Sequence, residues 1–212
     1  MLAVFLISGT GLAVALAGAD RLFAALVGRA AGRRLAAVFG SGSGAAVRIT
    51  SAPFLTQLAA GVYREIDVTA AVFIAGGIEF RALRARLSHV RAPLRRLLAR
   101  SGLVAGKVTA IMTIPLSVIT DRLPRGLEVR RHGADLAVSG WALLVPVSGT
   151  LAVTADGQRI SVVPRVLGVP SLVGFVVALP GLPPELCITE LQVTDNGLQV
   201  TVSGDNVNLV PG

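Results

Sequence analysis

The side chains of this sequence that are capable of chemistry are few and lie far apart. Its two histidines, His89 and His132, each stand among arginines, which favours surface or strand-end positions over a catalytic pair. Cys187 is the only cysteine and lies in an apolar stretch; this predicts a buried, inert thiol and excludes an internal disulfide. Neither a G-x-S-x-G nor an H-E-x-x-H motif occurs. We therefore predict no catalysis, no metal ion and no cofactor; an enzyme would need a polar cluster deep in a cavity.

The composition favours a lipid partner. Of the 212 residues, 53% are hydrophobic and 15% are charged, and the net charge is +8, with arginine supplying 19 of the 20 basic residues. Such a chain attracts anionic partners. Aromatic residues make up only 4% of the chain, so stacking platforms for single-stranded nucleic acid are scarce. We therefore expect an anionic phospholipid or a membrane surface as the partner, and no nucleic acid.

The densest positive charge lies between positions 81 and 100, where seven arginines occur with no acidic residue between them. They are Arg81, Arg84, Arg86, Arg91, Arg95, Arg96 and Arg100. One interpretation is a solvated basic face. The other is docking onto anionic headgroups, where each basic residue near the surface contributes about 1 kcal/mol. On the second interpretation Arg91, Arg95 and Arg96 are the docking residues.

The N-terminal part of the chain divides into three segments. Residues 2–19 carry no charge, which predicts an apolar helix near the lower length limit for crossing a bilayer. They end in an A-x-A pattern that also fits a signal-peptide cleavage site, so residues 1–19 are predicted to be a signal peptide or a membrane anchor. Residues 20–44 are an amphipathic helix and a Gly/Ser joint, GSGSG. The folded domain is predicted over residues 45–212.

The domain begins with a short apolar helix that leads into a strand. Thr50 or Ser51 is the predicted cap, and Pro53 suits the first turn. From Ile66 the period of the apolar residues changes to two, as in a strand. This helix and strand present more apolar surface than one sandwich layer needs, which predicts a wall of an acyl-chain cavity. The predicted lining residues are Phe54, Leu58, Val62, Val68 and Val72; the alternative is that all five belong to an ordinary core.

Further strands follow, and tight turns connect several of them. Hairpins are predicted at Gly133, at Asp156-Gly157 and at Asp195-Asn196-Gly197. In one predicted strand Ile78 and Phe80 share one face and Leu83, Ala85 and Leu87 share the other, which indicates a bulge or a sharp coil within the strand. Residues 169–180, VPSLVGFVVALP, are predicted to be a short buried helix or a pocket-lining segment. The fold class is therefore α+β, a long curved antiparallel sheet packed on a few helices, with an apolar groove or cavity for lipid.

Several stretches occur in an order that points to a known family. After the apolar N-terminal segment and its helix come SAPFLTQLAAGVYREIDVTA, LSHVRAPLRRLL, LPPELCITELQVTDNGLQVTVSG and NVNLV. In this order the chain resembles the LmeA-like phospholipid-binding family of actinobacteria, also described as a domain of unknown function. The most specific part of the resemblance is the block from Pro53 to Val68.

The resemblance implies phospholipid binding in the cell envelope, in a family associated with the elongation of mannan lipids. It supplies no ligand residues. The expectation is a non-catalytic phospholipid-binding protein on the periplasmic side of the envelope, membrane-anchored or secreted. The alternative is a structural or scaffolding envelope protein that packs its apolar face on a partner protein. The sequence leaves the headgroup and the oligomeric state open.

Overall fold

Two antiparallel β-sheets make up most of the described chain. The structure is a computed structural model, and it describes residues 18–33, 36, 43–75, 77–92, 103–142, 145–166, 174–179 and 182–209. Within these ranges the helices are α1 over residues 18–33, α2 at Phe54–Ala60 and α3 at Leu116–Thr120. None of the described helices combines the length and the apolar character that a membrane span requires. Of the apolar helix predicted for residues 2–19, residues 2–17 lie outside the described part of the chain.

The strands divide into a sheet of six and a sheet of five. The larger sheet has the order β1-β2-β3-β4-β11-β10, and the smaller has the order β5-β6-β7-β8-β9. In chain order the strands are β1 Ala46–Ile49, β2 Val62–Ala75, β3 Ile78–Arg91, β4 Leu103–Ile114, β5 Leu127–His132, β6 Asp135–Ala142, β7 Val145–Asp156, β8 Arg159–Val166, β9 Phe175–Ala178, β10 Cys187–Thr194 and β11 Gly197–Leu209. The predicted antiparallel α+β class is thus confirmed, although the strands form two sheets instead of one.

The three predicted hairpins are present. Strands β5 and β6 turn at Gly133, β7 and β8 turn at Asp156-Gly157, and β10 and β11 turn at Asp195-Asn196. Gly133 and Gly157 have positive φ angles of 65° and 58°, the left-handed conformation that glycine adopts without a steric penalty. These turns depend on local backbone chemistry, and this is why the sequence predicts them well.

A β-bulge in β3 explains the change in its apolar pattern. Ala82 has a φ of 54°, and the pairing of β3 with β4 shifts between Arg81 and Arg84. The extra residue reverses the alternation of side chains once, so that Phe80 before the bulge and Leu83 after it both point into the core and are buried. The predicted bulge is therefore confirmed, and it keeps both halves of β3 on the core.

The side chains are buried in two clusters. The first lies between the two sheets and includes Phe80 and Val200 from the larger sheet and Leu136 and Ile160 from the smaller one. The second covers the other end of the larger sheet, where Phe54 of α2 packs with the strand residues. The first cluster holds the two sheets and α3 together, while the second attaches α1 and α2 to the larger sheet.

Helix α1 packs closely on the second cluster. Asp20 accepts hydrogen bonds from the backbone N–H groups of Phe54 (2.8 Å) and Leu55 (2.7 Å), so it satisfies the first turn of α2 from a distant part of the chain. The predicted cap at Thr50 or Ser51 is wrong, since Pro53 is the N-cap residue and no side chain bonds from that position. The hydrogen bonds from Phe54 and then Leu55 lower the pKa of Asp20, although burial of the carboxylate opposes them.

A glycine lets α1 approach the larger sheet. A Cβ at Gly28 would lie 2.6 Å from the carbonyl oxygen of Val47 in β1, so any larger residue would displace the helix. Ala24, one turn earlier, is buried in the second cluster. Residues 18–33 therefore contact the domain that was predicted to begin at Ala45. That boundary stays a prediction.

Three smaller sequence predictions have mixed outcomes. Cys187 is exposed, so the prediction of a buried thiol is wrong; β10 is an edge strand and Ile188 packs against the core in its place. His89 and His132 are exposed, as predicted. Of the segment predicted to be a helix or a pocket lining, Phe175–Ala178 is strand β9, which excludes a helix there.

Candidate lipid-binding cleft

A cleft of about 320 Å³ opens between the two sheets. The β5–β6 hairpin and β7 form one side, and the β10–β11 hairpin forms the other. Its lining residues are Arg131, Gly133, Ala134, Asp135, Leu136, Leu151, Val153, Leu191, Gln192, Val193 and Leu198. This volume lies at the lower end of the range of roughly 300–1,000 Å³ that is usual for ligand pockets.

The cleft has an aliphatic floor, whereas Arg131, Asp135 and Gln192 make much of its remaining lining polar. Leu136, Leu151 and Leu198 are buried members of the cluster between the sheets. Val153 from the smaller sheet and Leu191 from the larger one are only partly buried and pack against that cluster. Branched aliphatic side chains thus meet from both sheets at the floor of the cleft, which suits a hydrocarbon ligand there, while the charged residues Arg131 and Asp135 also line the cleft.

An arginine stands at the polar rim of the cleft. Arg131 Nη1 lies 2.6 Å from Asp195 Oδ1, and Arg131 Nε donates to the carbonyl oxygen of Gly133 at 2.8 Å. The ion pair joins the two hairpins, but the Asp195 side chain is 84% exposed and that of Arg131 is 40% exposed. Pairs this exposed contribute about 0–1 kcal/mol to stability, so exchanging Asp195 for another anion costs little.

One family model matches most of the chain. The family model described as LmeA-like phospholipid-binding matches residues 18–203 of the 212. The chain belongs to the LmeA-like phospholipid-binding family. The resemblance inferred from the motif order is therefore confirmed, and it extends from α1 into β11. Searches of curated proteins and of solved structures returned no match.

The predicted wall residues do not all occupy one environment. Phe54 is fully buried in the second cluster, and Leu58 and Val68 pack against that cluster. Val62 is exposed at the start of β2, and Val72 is half-buried further along the same strand. None of the five lines the cleft between the sheets. The acyl-chain wall formed by these residues stays a prediction.

Val72→Trp tests the predicted wall directly. In a lipid cavity the larger side chain displaces bound phospholipid and leaves the thermal midpoint nearly unchanged. In a packed core it lowers stability by about 1–3 kcal/mol through overpacking and leaves the lipid in place. Native mass spectrometry, together with thermal unfolding of the same sample, measures both effects. Early unfolding with the lipid retained would assign Val72 to the core.

The predicted docking arginines are only partly described. Arg91 is exposed at the end of β3, whereas Arg95 and Arg96 lie outside the described residues. Earlier in β3 the positive charge is partly neutralised. Arg86 lies 2.9 Å from Glu65 and 3.2 Å from Asp67, both in the neighbouring strand β2. Docking through Arg91, Arg95 and Arg96 stays a prediction.

The residues of the cleft were not predicted from the sequence. One local signal pointed to Arg131: Leu127 and Val129 are buried at alternate positions of β5, and Arg131 continues that alternation on the same face. An arginine at an inward position of a short strand indicates a polar rim. The opposing Leu191 could not be placed there, since it belongs to the other sheet.

Proposed function

We propose that this member of the LmeA-like family is a non-catalytic protein that binds an anionic phospholipid in the cleft between its sheets. The observation that carries the proposal is the combination of an aliphatic floor with Arg131 at the rim. An acyl chain would replace water against Leu151, Val153 and Leu191. The phosphate would take the place of Asp195 at the guanidinium.

The chemistry of the two ends of the lipid supports this orientation, with the acyl chain inside the cleft and the phosphate at the rim. Burial of hydrocarbon contributes about 25 cal/mol per Å² of apolar area, and the partly buried residues Val153, Leu191 and Val193 still have such area to cover. Arginine presents a planar fork of donors that suits the oxygens of a phosphate. The donor at the rim therefore fixes which end of the lipid remains in water.

The cell envelope is the proposed location, on its periplasmic side, with the chain membrane-anchored or secreted. The uncharged stretch over residues 2–19 supports export or anchoring. In that setting the protein would take up or carry phospholipid in support of envelope maintenance, including the elongation of mannan-type lipoglycans. The net charge of +8 supports a preference for anionic lipids.

Arg131→Gln is expected to remove most of the preference for anionic lipid. Losing a charge-assisted hydrogen bond worth about 1.5–3 kcal/mol corresponds to a loss of roughly tenfold or more in affinity. Competition between phosphatidylglycerol and phosphatidylcholine for the delipidated protein, read by native mass spectrometry, measures the preference directly. Asp195→Asn is expected to act in the opposite direction, because it removes the competing carboxylate.

Arg130→Gln is the matched control. Arg130 precedes Arg131 on β5, is exposed, and pairs with Glu128 at 2.7 Å. Because neighbouring residues of a strand point to opposite faces, it lies away from the cleft. An equal loss of preference in both variants would show that net charge is responsible, and would contradict a phosphate site at Arg131.

A further inference from the structure

The exposed surface of α1 is largely apolar between residues 22 and 27. Leu22, Phe23 and Leu26 are 65%, 52% and 55% exposed, and Val27 beside them is also exposed. Leu55 of α2 adds a further exposed aliphatic side chain next to the Asp20 contact. Single exposed hydrophobic residues are normal on a protein surface, but a contiguous group of this kind marks an interaction site.

The orientation of this surface is fixed by the opposite side of the helix. Asp20 accepts the N–H groups of Phe54 and Leu55, and Gly28 meets the backbone of Val47 at close range. Rotating α1 to bury its leucines would break both contacts. The apolar residues therefore face outward because the fold holds them there.

Two arginines, Arg29 and Arg33, lie on the same side of α1 as Leu22 and Leu26, and the four residues form a stripe along the helix. With 100° of rotation per residue, positions 22, 26, 29 and 33 fall within about 60° of one another. Arg29 and Arg33 are exposed, and neither forms an ion pair with any residue that the structure describes. The stripe is thus apolar at its N-terminal half and basic at its C-terminal half.

We propose that this stripe, Leu22, Leu26, Arg29 and Arg33, docks on the surface of an anionic phospholipid bilayer. Helices at a membrane interface bury apolar side chains at the acyl boundary while arginines reach the headgroups. The N-terminal sequence favours this occupant over a protein partner, because residues 2–19 are uncharged and lead into the apolar half of the stripe. The inference goes beyond the proposed function, since holding one lipid in the cleft does not require contact with a bilayer.

The test places a polarity-sensitive fluorophore on the stripe of the full-length chain. Leu26→Cys in a Cys187→Ser background carries the label, and Val163→Cys, an exposed position on the smaller sheet, carries it in the reference protein. With phosphatidylglycerol vesicles we expect a blue shift and a loss of acrylamide quenching at position 26 only. Phosphatidylcholine vesicles, or Arg29→Gln with Arg33→Gln, should reduce the shift.

Three results would overturn docking through α1. The label at position 26 could stay in water while the protein floats with the vesicles, which would assign attachment to another segment. It could be shielded before vesicles are added, which would show that part of the chain or a second copy covers the stripe. Equal shifts on both vesicle types would contradict the role of the arginines. Counting the phospholipid bound per chain in the same samples distinguishes a failure of docking through α1 from a failure of phospholipid binding in the cleft.

Discussion

Val153→Trp is expected to abolish phospholipid retention while the protein stays folded. Val153 is partly buried in the wall of the cleft, next to the buried Leu151 on the same strand face. An indole at this position fills space that an acyl chain would occupy. Because the cleft opens to solvent, the indole can extend outward and overpacks less than it would in a closed core. We expect bound lipid to fall from about one per chain to background, measured by native mass spectrometry.

Val163→Trp is the matched control for this experiment. Val163 lies on the neighbouring strand β8 and is exposed, whereas Val162 beside it is buried, so Val163 faces away from the cleft. The Val163→Trp variant should retain as much phospholipid per chain as the unmodified protein. Leu191→Trp blocks the same cleft from the other sheet. It serves as a second test if Val153→Trp fails to fold. Folded variants at both positions that still retain phospholipid would contradict the cleft assignment.

Asp20→Asn is expected to lower the thermal midpoint at neutral pH by several degrees and to flatten the loss of stability in acid. The carboxylate accepts two backbone N–H groups through its two oxygens, and asparagine retains only one such acceptor. Because those hydrogen bonds lower the pKa of Asp20 in the folded state, its contribution is present above the ordinary value of 3.8 and disappears as the pH falls through the folded value. The two proteins should therefore converge in stability at low pH.

Urea unfolding at a series of pH values from neutral to strongly acidic measures this convergence. Asp156→Asn is the control, because Asp156 is an exposed carboxylate at the β7–β8 turn, where asparagine is equally suitable. A stability of Asp20→Asn equal to that of the unmodified protein at every pH would show that the Asp20 hydrogen bonds do not stabilise the domain. That result would support the predicted domain boundary at Ala45.

The local parts of the fold were predictable from sequence. The turn at Asp156-Gly157 and the bulge near Ala82 follow from residue types within a few positions of each other. In each case short-range backbone preferences decide the structure. The match to the family also depends on such ordered local motifs.

The cleft and the helix contacts were not predictable in the same way. Asp20 meets the N–H of Phe54 across 34 positions of sequence, and Arg131 meets Asp195 across 64. The division of the strands into two sheets decides which side chains oppose each other, and no local pattern encodes it. Charge counted along the sequence also misleads, since acidic residues on β2 approach Arg86. Long-range pairing therefore determines the candidate site.

Native mass spectrometry of the full-length protein, delipidated and then incubated with a mixture of anionic and zwitterionic phospholipids, tests phospholipid binding most directly. The proposed function predicts one phospholipid per chain, enriched in the anionic species, and reduced to background by Val153→Trp but not by Val163→Trp. A scaffold protein would carry no lipid in near-stoichiometric amount. A folded protein that stays at its lipid-free mass after incubation would contradict the proposed function.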